Sequence, residues 1–286
     1  MAERIKTRMK VFADLIFPNF AMQRIADALK KYAPAGIEFV DNEKEADLSI
    51  IYAYGHRRKQ WCRASKLLSE GKKYAVIQLA LRSTPNPGTV DWIQLWQDAE
   101  LVWSYYDLLT LLEVDGIKGF PSSKFYHAPL GVDSDKFKDL GLKRIYTIVN
   151  LNNRDESVNE VKEAADGNVF QLGQGVSEEE LIKGYNQSKF ISGLRRKEGF
   201  EMPVIEGMLC GARPIVFSRP ETHQWFEDLA IFISEGSHDQ VVRDLSSIFE
   251  IYDGVKPDEK AIQLVKQRFN WETIIKGFWE RIICQL

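Results

Sequence analysis

Lys197-Glu198-Gly199-Phe200-Glu201-Met202-Pro203-Val204-Ile205-Glu206-Gly207-Met208-Leu209-Cys210-Gly211 is the stretch whose reading decides the fold. The apolar residues 190–194 before it read as a buried strand, and residues 214–217 after it read as another. Between them Pro203 suits the first turn of a helix, where its missing N–H costs nothing, and Gly211 suits the position just past the last turn. Strand, turn, helix and strand in that order make one parallel unit of an α/β sheet. Ligands of such sheets bind at the carboxyl edge, which is where this turn lies. Gly199 lets the backbone turn tightly, and the N–H groups around Gly199 to Met202 face outward at the helix start, where they hold phosphate oxygens.

Two carboxylates frame the same turn. Glu198 precedes it and Glu206 sits about one turn into the helix, so both side chains are placed to enter one cleft. Carboxylates accept hydrogen bonds from the vicinal hydroxyls of a sugar, and such bonds are roughly twice as strong as neutral ones. Spacing alone also allows a plainer reading, in which both glutamates only complement the positive end of the helix, for about 0.3–1 kcal/mol.

Outward from this stretch the pattern repeats. Residues 11–16, 37–40, 48–54, 74–79 and 101–105 read as strands with helical spacing between most of them, and Met22, Ile25, Ala26 and Leu29 mark the first such helix. Residues 118–139 collect Gly119, Pro121, Pro129 and Gly131 among polar residues, which places an interdomain crossing there and a boundary near residue 138. Beyond it come strands at 145–151 and 169–172, a helix at 158–165, and a helix opened by Ser177, whose hydroxyl pairs with Glu180 as a capping box. Helices starting near His238, Asp258 and Trp271 close the chain. The division is residues 1–138 and 139–286, with the last helix, 271–286, packing back on the first domain.

With 286 residues the chain exceeds one ordinary domain, so each half builds its own core. Charged residues at 28% and hydrophobic residues at 44% exclude a disordered chain. No apolar run approaches the roughly 20 residues of a membrane span, and the basic start lacks a signal peptide, so a cytoplasmic protein without integral membrane association is expected. Cys62, Cys210 and Cys284 lack the spacing of a zinc site or a disulfide framework and read as buried or inert thiols. The net charge of −3 gives no global attraction to polyanions, although Arg57-Arg58-Lys59 and Arg195-Arg196-Lys197 form local basic clusters.

Several segments together resemble a family. Glu198-Gly199-Phe200 through Glu206, followed by Cys210-Gly211-Ala212-Arg213-Pro214-Ile215-Val216, is similar to the Glu, seven residues, Glu signature of the retaining glycosyltransferases of family 4. His127-Ala128-Pro129-Leu130-Gly131-Val132-Asp133 resembles that family's interdomain Pro-Asn-Gly-Val-Asp segment, with Leu130 in place of asparagine. Gly173 with Ser177 to Leu181 and Tyr185, and Phe269-Asn270-Trp271, resemble two further segments, in the same order, within residues 127–286. The resemblance implies a GT-B fold, an α/β architecture of two Rossmann-like domains facing a central cleft, the second binding a nucleotide-sugar. It implies that Glu198, Gly199 and Phe200 contact the donor sugar and diphosphate, that Glu206 binds the ribose hydroxyls, and that glycosyl transfer proceeds with retention. It implies no cofactor and no essential metal, the nucleoside diphosphate sugar being the donor substrate.

The departures from the pattern shape the remaining expectations. Where the family carries Gly-Arg and a nearby Lys, this chain reads Val149-Asn150-Leu151-Asn152-Asn153-Arg154, so Asn150 and Arg154 are candidates for the donor phosphates, with Arg196 as a second cation. The family's glycine-rich loop is replaced by Phe17-Pro18-Asn19-Phe20. No histidine ends the strand 74–79, which Arg82 follows, and His56 at another strand end is the alternative; His56 and Arg82 join Glu198 as catalytic candidates. Trp92, Trp96, Trp103, Tyr105 and Tyr106 offer stacking surface or core packing. The short first domain resembles viral-type members, and the acceptor reads as a saccharide or a hydroxymethylated base in DNA, along a phosphate track of Arg57 to Lys59, Lys72, Lys73 and Arg82. A non-catalytic binding protein of the same fold, or a nucleotide-sugar epimerase, are the other readings.

Overall fold

In the computed structural model the described residues are 8–13, 20–54, 57–81, 92–151, 157–173, 175–196, 200–254 and 258–286. The chain divides into two compact units, one made of Met1–Leu130 with Trp271–Leu286 and the other of Gly131–Asn270. It passes between them within the Gly- and Pro-containing stretch 118–139, and again just before the last helix.

The first unit is built from β1 (Met9–Phe12), α1 (Phe20–Lys31), β2 (Ile37–Phe39), β3 (Leu48–Ala53), α2 (Arg57–Ser69), β4 (Lys73–Gln78), α3 (Ile93–Gln97), β5 (Val102–Ser104), α4 (Leu108–Val114) and β6 (Phe125–His127). The strands form one parallel sheet in the order β2-β1-β3-β4-β5-β6. All six residues of β3 are buried, as expected of a parallel strand covered on both faces. Trp92, Leu95 and Trp96 pack on one face of the sheet with Leu108 and Leu112. The final helix, Trp271–Gln285, packs within this unit: the Trp103 ring meets Trp271 edge-on at 6.4 Å and Phe278 at 5.7 Å, and Trp279 Nε1 donates to the Leu29 carbonyl at 3.4 Å.

The buried tryptophans satisfy their N–H groups internally: Trp92 donates to the Leu81 carbonyl, Trp96 to Gln78 Oε1 and Trp103 to the Ala128 carbonyl. Tyr105 donates its hydroxyl to the Leu79 carbonyl. These four aromatics are core, and the stacking surface considered for them is absent at those positions. Cys210 is buried, and burial pushes its thiol up to about 12; Cys62 and Cys284 are exposed, so of the two readings, buried or inert, burial holds for Cys210 alone.

The second unit runs β7 (Tyr146–Leu151), α5 (Val158–Ala164), β8 (Val169–Leu172), α6 (Glu178–Asn186), β9 (Ser188–Gly193), α7 (Met202–Leu209), β10 (Arg213–Phe217), α8 (Pro220–Phe226), β11 (Ile231–Ile233), α9 (His238–Ile251) and α10 (Glu259–Arg268); the final helix is α11. Its strands are parallel in the order β11-β10-β9-β7-β8. Ser177 caps α6 as read from the sequence, its hydroxyl accepting from Glu180 N while Glu180 Oε2 accepts from Ser177 N. The α7 helix ends in a Schellman motif: Gly211, at φ +82°, donates to the Met208 carbonyl and Ala212 to that of Gly207. No helix of the described residues is long and apolar enough to cross a membrane.

Candidate functional site

The strand order of the second unit fixes where a ligand belongs. β8 lies on one side of β7 and β9 on the other, so successive crossovers leave β7 in opposite directions and a crevice opens at the carboxyl ends of β7 and β9. β7 ends in Asn150 and Leu151, β9 in Gly193, and residues 152–156 and 194–201 follow them in the chain.

The α7 helix, which follows β9, is apolar nearly all round and almost wholly buried, so its place is set by packing from several sides. It seats very close on the sheet. A Cβ on Gly207 would lie 3.0 Å from Ile191, and one on Gly193 would lie 2.8 Å from Val204 and Val216. This seating fixes Glu206, which is 1% exposed, and Tyr185 of α6 donates its hydroxyl to Glu206 Oε2 at 3.1 Å. At the other end of α7 the first residue, Met202, carries one of the N–H groups that a helix start leaves without an intrahelical partner, and Pro203 has none to offer. Phe200 turns its ring inward, stacked on Phe226 at 5.7 Å and packed on Phe269 at 5.6 Å, which anchors the backbone just before the helix.

A second group of polar side chains lies at the same edge. Ile148, Phe190 and Leu194 belong to the apolar cluster formed with α5 and α9, and residues two apart on a strand share a face, so Asn150 and Ser192 turn toward those helices. Asn150, Ser157 and Ser192 are all buried, and the Ser157 N–H donates to the Leu194 carbonyl. Neither amide atom of Asn150 nor the Ser157 hydroxyl has a hydrogen-bond partner among the described residues. Buried polar groups are almost always paired, so the unpaired carboxamide singles out Asn150 as a candidate ligand-binding group.

Beside it lies a charged network. Arg196 pairs with Glu160 Oε1 at 3.3 Å and Glu235 Oε1 at 3.6 Å, Arg219 donates to Glu235 Oε2 at 2.9 Å, and both guanidiniums lie over the Phe217 ring. Arg219 also donates to the Arg195 carbonyl, tying the backbone after β9 to the end of β10.

Of the residues singled out from sequence, Asn150, Arg196, Phe200 and Glu206 are thus placed in the second unit, all at or next to the β7–β9 edge. Glu198, Gly199, His56, Arg82 and Arg154 lie outside the described residues. Sequence reading missed Ser157, Glu160, Arg219 and Glu235. Arg219 before Pro220 at a strand end was the only signal any of them offered. A cavity of about 250 Å³ exists elsewhere in this unit, at the amino ends of β10 and β11 between Arg213, Tyr252 and Asp258, far from the carboxyl edge. Among the described residues no group of His, Cys, Asp and Glu is arranged to hold a metal ion.

No protein family matches the chain by sequence, and neither does any curated protein. Solved structures do match by shape. Anabaena HepE in complex with UDP and glucose is 13% identical with a TM-score of 0.71, over 95% of this chain and 98% of that one. A glycosyltransferase from Rickettsia africae is 11% identical with a TM-score of 0.70, over 98% of this chain and 99% of that one. Sucrose-phosphate synthase from Thermosynechococcus elongatus is 12% identical with a TM-score of 0.65, over 83% of this chain and 73% of that one. The chain has the α/β GT-B fold that the family resemblance in its sequence implies.

Proposed function

We propose that this chain is a glycosyltransferase that takes its sugar from a nucleoside diphosphate donor held at the β7–β9 edge of the second unit. The observation that carries this reading is Glu206: a carboxylate 1% exposed, fixed by Tyr185 within a helix that itself begins at the topological switch point. A carboxylate is costly to bury, and a site for ribose hydroxyls gives it charge-assisted partners. The solved structures of like shape lend support, since HepE carries UDP-glucose in one of them.

In this reading Glu206 binds the ribose, Glu198 meets the donor sugar, and the N–H groups from Gly199 through Phe200 to Met202 receive the diphosphate. Asn150 offers its unpaired carboxamide to the same donor. Arg196 shares its charge with Glu160 and Glu235, so Arg154 is the principal cation for the leaving diphosphate, in place of a metal. The transfer proceeds with retention and needs no protein nucleophile, while His56 and Arg82 of the first unit serve the acceptor hydroxyl.

A thermal-shift screen against UDP, GDP, ADP, CMP and their sugar conjugates tests the proposal. A donor at 100 times its dissociation constant stabilises the fold by about 2.7 kcal/mol. Glu206→Gln is expected to weaken that donor by about 1–3 kcal/mol through lost charge-assisted bonds. Absence of any nucleotide shift in a well-folded sample, or an unchanged affinity in the variant, overturns the assignment. Slow release of nucleoside diphosphate without acceptor would separate a transferase from a protein that only binds.

A further inference from the structure

We propose that the outward face of α2 is a docking surface for a nucleic-acid strand. In its 13 residues α2 carries Arg57, Arg58, Lys59, Arg63 and Lys66 and no acidic residue, in a chain whose net charge is −3. Its apolar side is spent inward: Ala64 and Leu67 lie in the core of the first unit, and Gln60 donates to the carbonyls of Tyr52 and Tyr54. Arg63 is committed to Glu43 and to the ring of Phe12. What the helix presents to solvent is Arg58, Lys59 and Lys66, the last in an exposed pair with Glu70 at 3.9 Å, with Trp61 at 44% exposure among them. Tyr54, 53% exposed, adds a second aromatic at the carboxyl end of β3. Cations that follow a phosphate backbone, interleaved with aromatic faces on which bases stack, are what a nucleic-acid strand requires.

The phosphate track read from the sequence is shortened by this arrangement. Lys72 donates to the Glu43 carbonyl and Lys73 pairs with Glu100 at 3.4 Å, so both are held at the far end of the helix from Tyr54. An anionic membrane shares the charge complementarity but asks for more, because a surface helix binds lipid with its apolar face free. In α2 that face is buried in the sheet packing, and Leu68, 41% exposed beside Trp61, is the one aliphatic residue of the helix left outside among its described side chains. The balance of the surface is polar and basic, which favours the strand.

The position gives the surface its use. In the first unit β2 and β3 flank β1, so the switch point lies between β1 and β3, and α2 starts just after β3. At that end Gln60 Oε1 is a buried acceptor without a donor among the described residues, available to a base N–H or a hydroxyl. As the identity of the acceptor, the inference rests on the glycosyl-transfer reading; as a binding surface, it stands by itself.

Fluorescence anisotropy with a labelled mixed-sequence oligonucleotide, single-stranded and duplex, is the test. The full chain is expected to bind one or both forms, and three phosphate contacts on a single strand give a log–log salt slope of about −2. The triple variant Arg58→Ala, Lys59→Ala, Lys66→Ala is expected to lose about tenfold in affinity and most of that slope. Trp61→Ala is expected to weaken the single strand about fivefold or more by loss of stacking. All variants should keep the parent melting temperature and its nucleotide-induced shift. No binding by the parent, equal binding by the triple variant, or flotation with phosphatidylglycerol vesicles in place of oligonucleotide binding overturns the proposal. Oligonucleotide binding without any nucleotide shift would uphold the surface and remove the donor reading, and the converse would do the opposite.

Discussion

In the proposed site Asn150 sets stability against donor binding at a single residue. Its carboxamide is fully buried with both polar atoms unpaired among the described residues, which costs the unliganded fold a desolvation penalty. Replacing it with leucine, of nearly the same size, removes that penalty. Asn150→Leu is therefore expected to raise the stability of the unliganded protein by about 1–3 kcal/mol while weakening the nucleotide-induced shift. Thermal melts with and without nucleotide check this, and a destabilised variant would mean that the amide serves the fold. Glu206 is singled out in the sequence by the Glu, seven residues, Glu spacing of the family that the chain resembles, and Asn150 by its place where that family carries Gly-Arg. Tyr185 and Arg219 acquire their roles from contacts made 21 and 24 residues away in the chain, to Glu206 and Arg195, and no local spacing encodes such a closure.

At the scale of elements the glycines under α7 show how the site is held. Gly193→Ala drives a methyl group into Val204 of α7 and Val216 of β10, and such overpacking costs typically 1–3 kcal/mol. Urea denaturation is expected to show that loss together with weaker nucleotide binding, because Glu206 rides on the displaced helix. The α5 and α9 helices are joined differently. Glu163 accepts from His238 at 2.8 Å, and this hydrogen bond, with Glu160 and Asp239 nearby, raises the His238 pKa above its ordinary 6.5. A raised folded value stabilises the fold fully below the unfolded value, and the contribution fades as pH climbs through the folded one. Glu163→Gln should move the His238 midpoint down toward 6.5 in an NMR titration, and an unmoved midpoint would discard the pairing. Most strands and the three closing helices were legible from periodicity, at offsets of a few residues. Two strands escaped: β6 (Phe125–His127) and β11 (Ile231–Ile233) are three residues each, too short for alternation to stand out, and β6 sits in a stretch whose Gly and Pro content read as linker.

For the whole molecule the telling element is α11. It buries Trp271, Ile274, Ile275, Phe278, Trp279 and Ile282 in the first unit, and Tyr126 donates its hydroxyl to the Ile274 carbonyl. Full burial of a large apolar side chain is worth about 1.5–3 kcal/mol, so six of them are comparable to the whole usual margin of a domain. Deleting residues 271–286 is expected to unfold the first unit, seen as loss of the near-ultraviolet circular dichroism of its tryptophans and rapid proteolysis of residues 1–130. A first unit that resists protease after the deletion would contradict this. The same helix holds back the maturation of the unit that is made first. On the ribosome α11 follows residues 131–270 out of the tunnel, so the sheet that was synthesised first waits with Trp103 and Leu29 uncovered for this partner. Domains generally mature from the amino end during synthesis; here the earlier-made domain cannot close ahead of the later one, and it stays exposed to chaperones, proteases and wrong partners until α11 arrives.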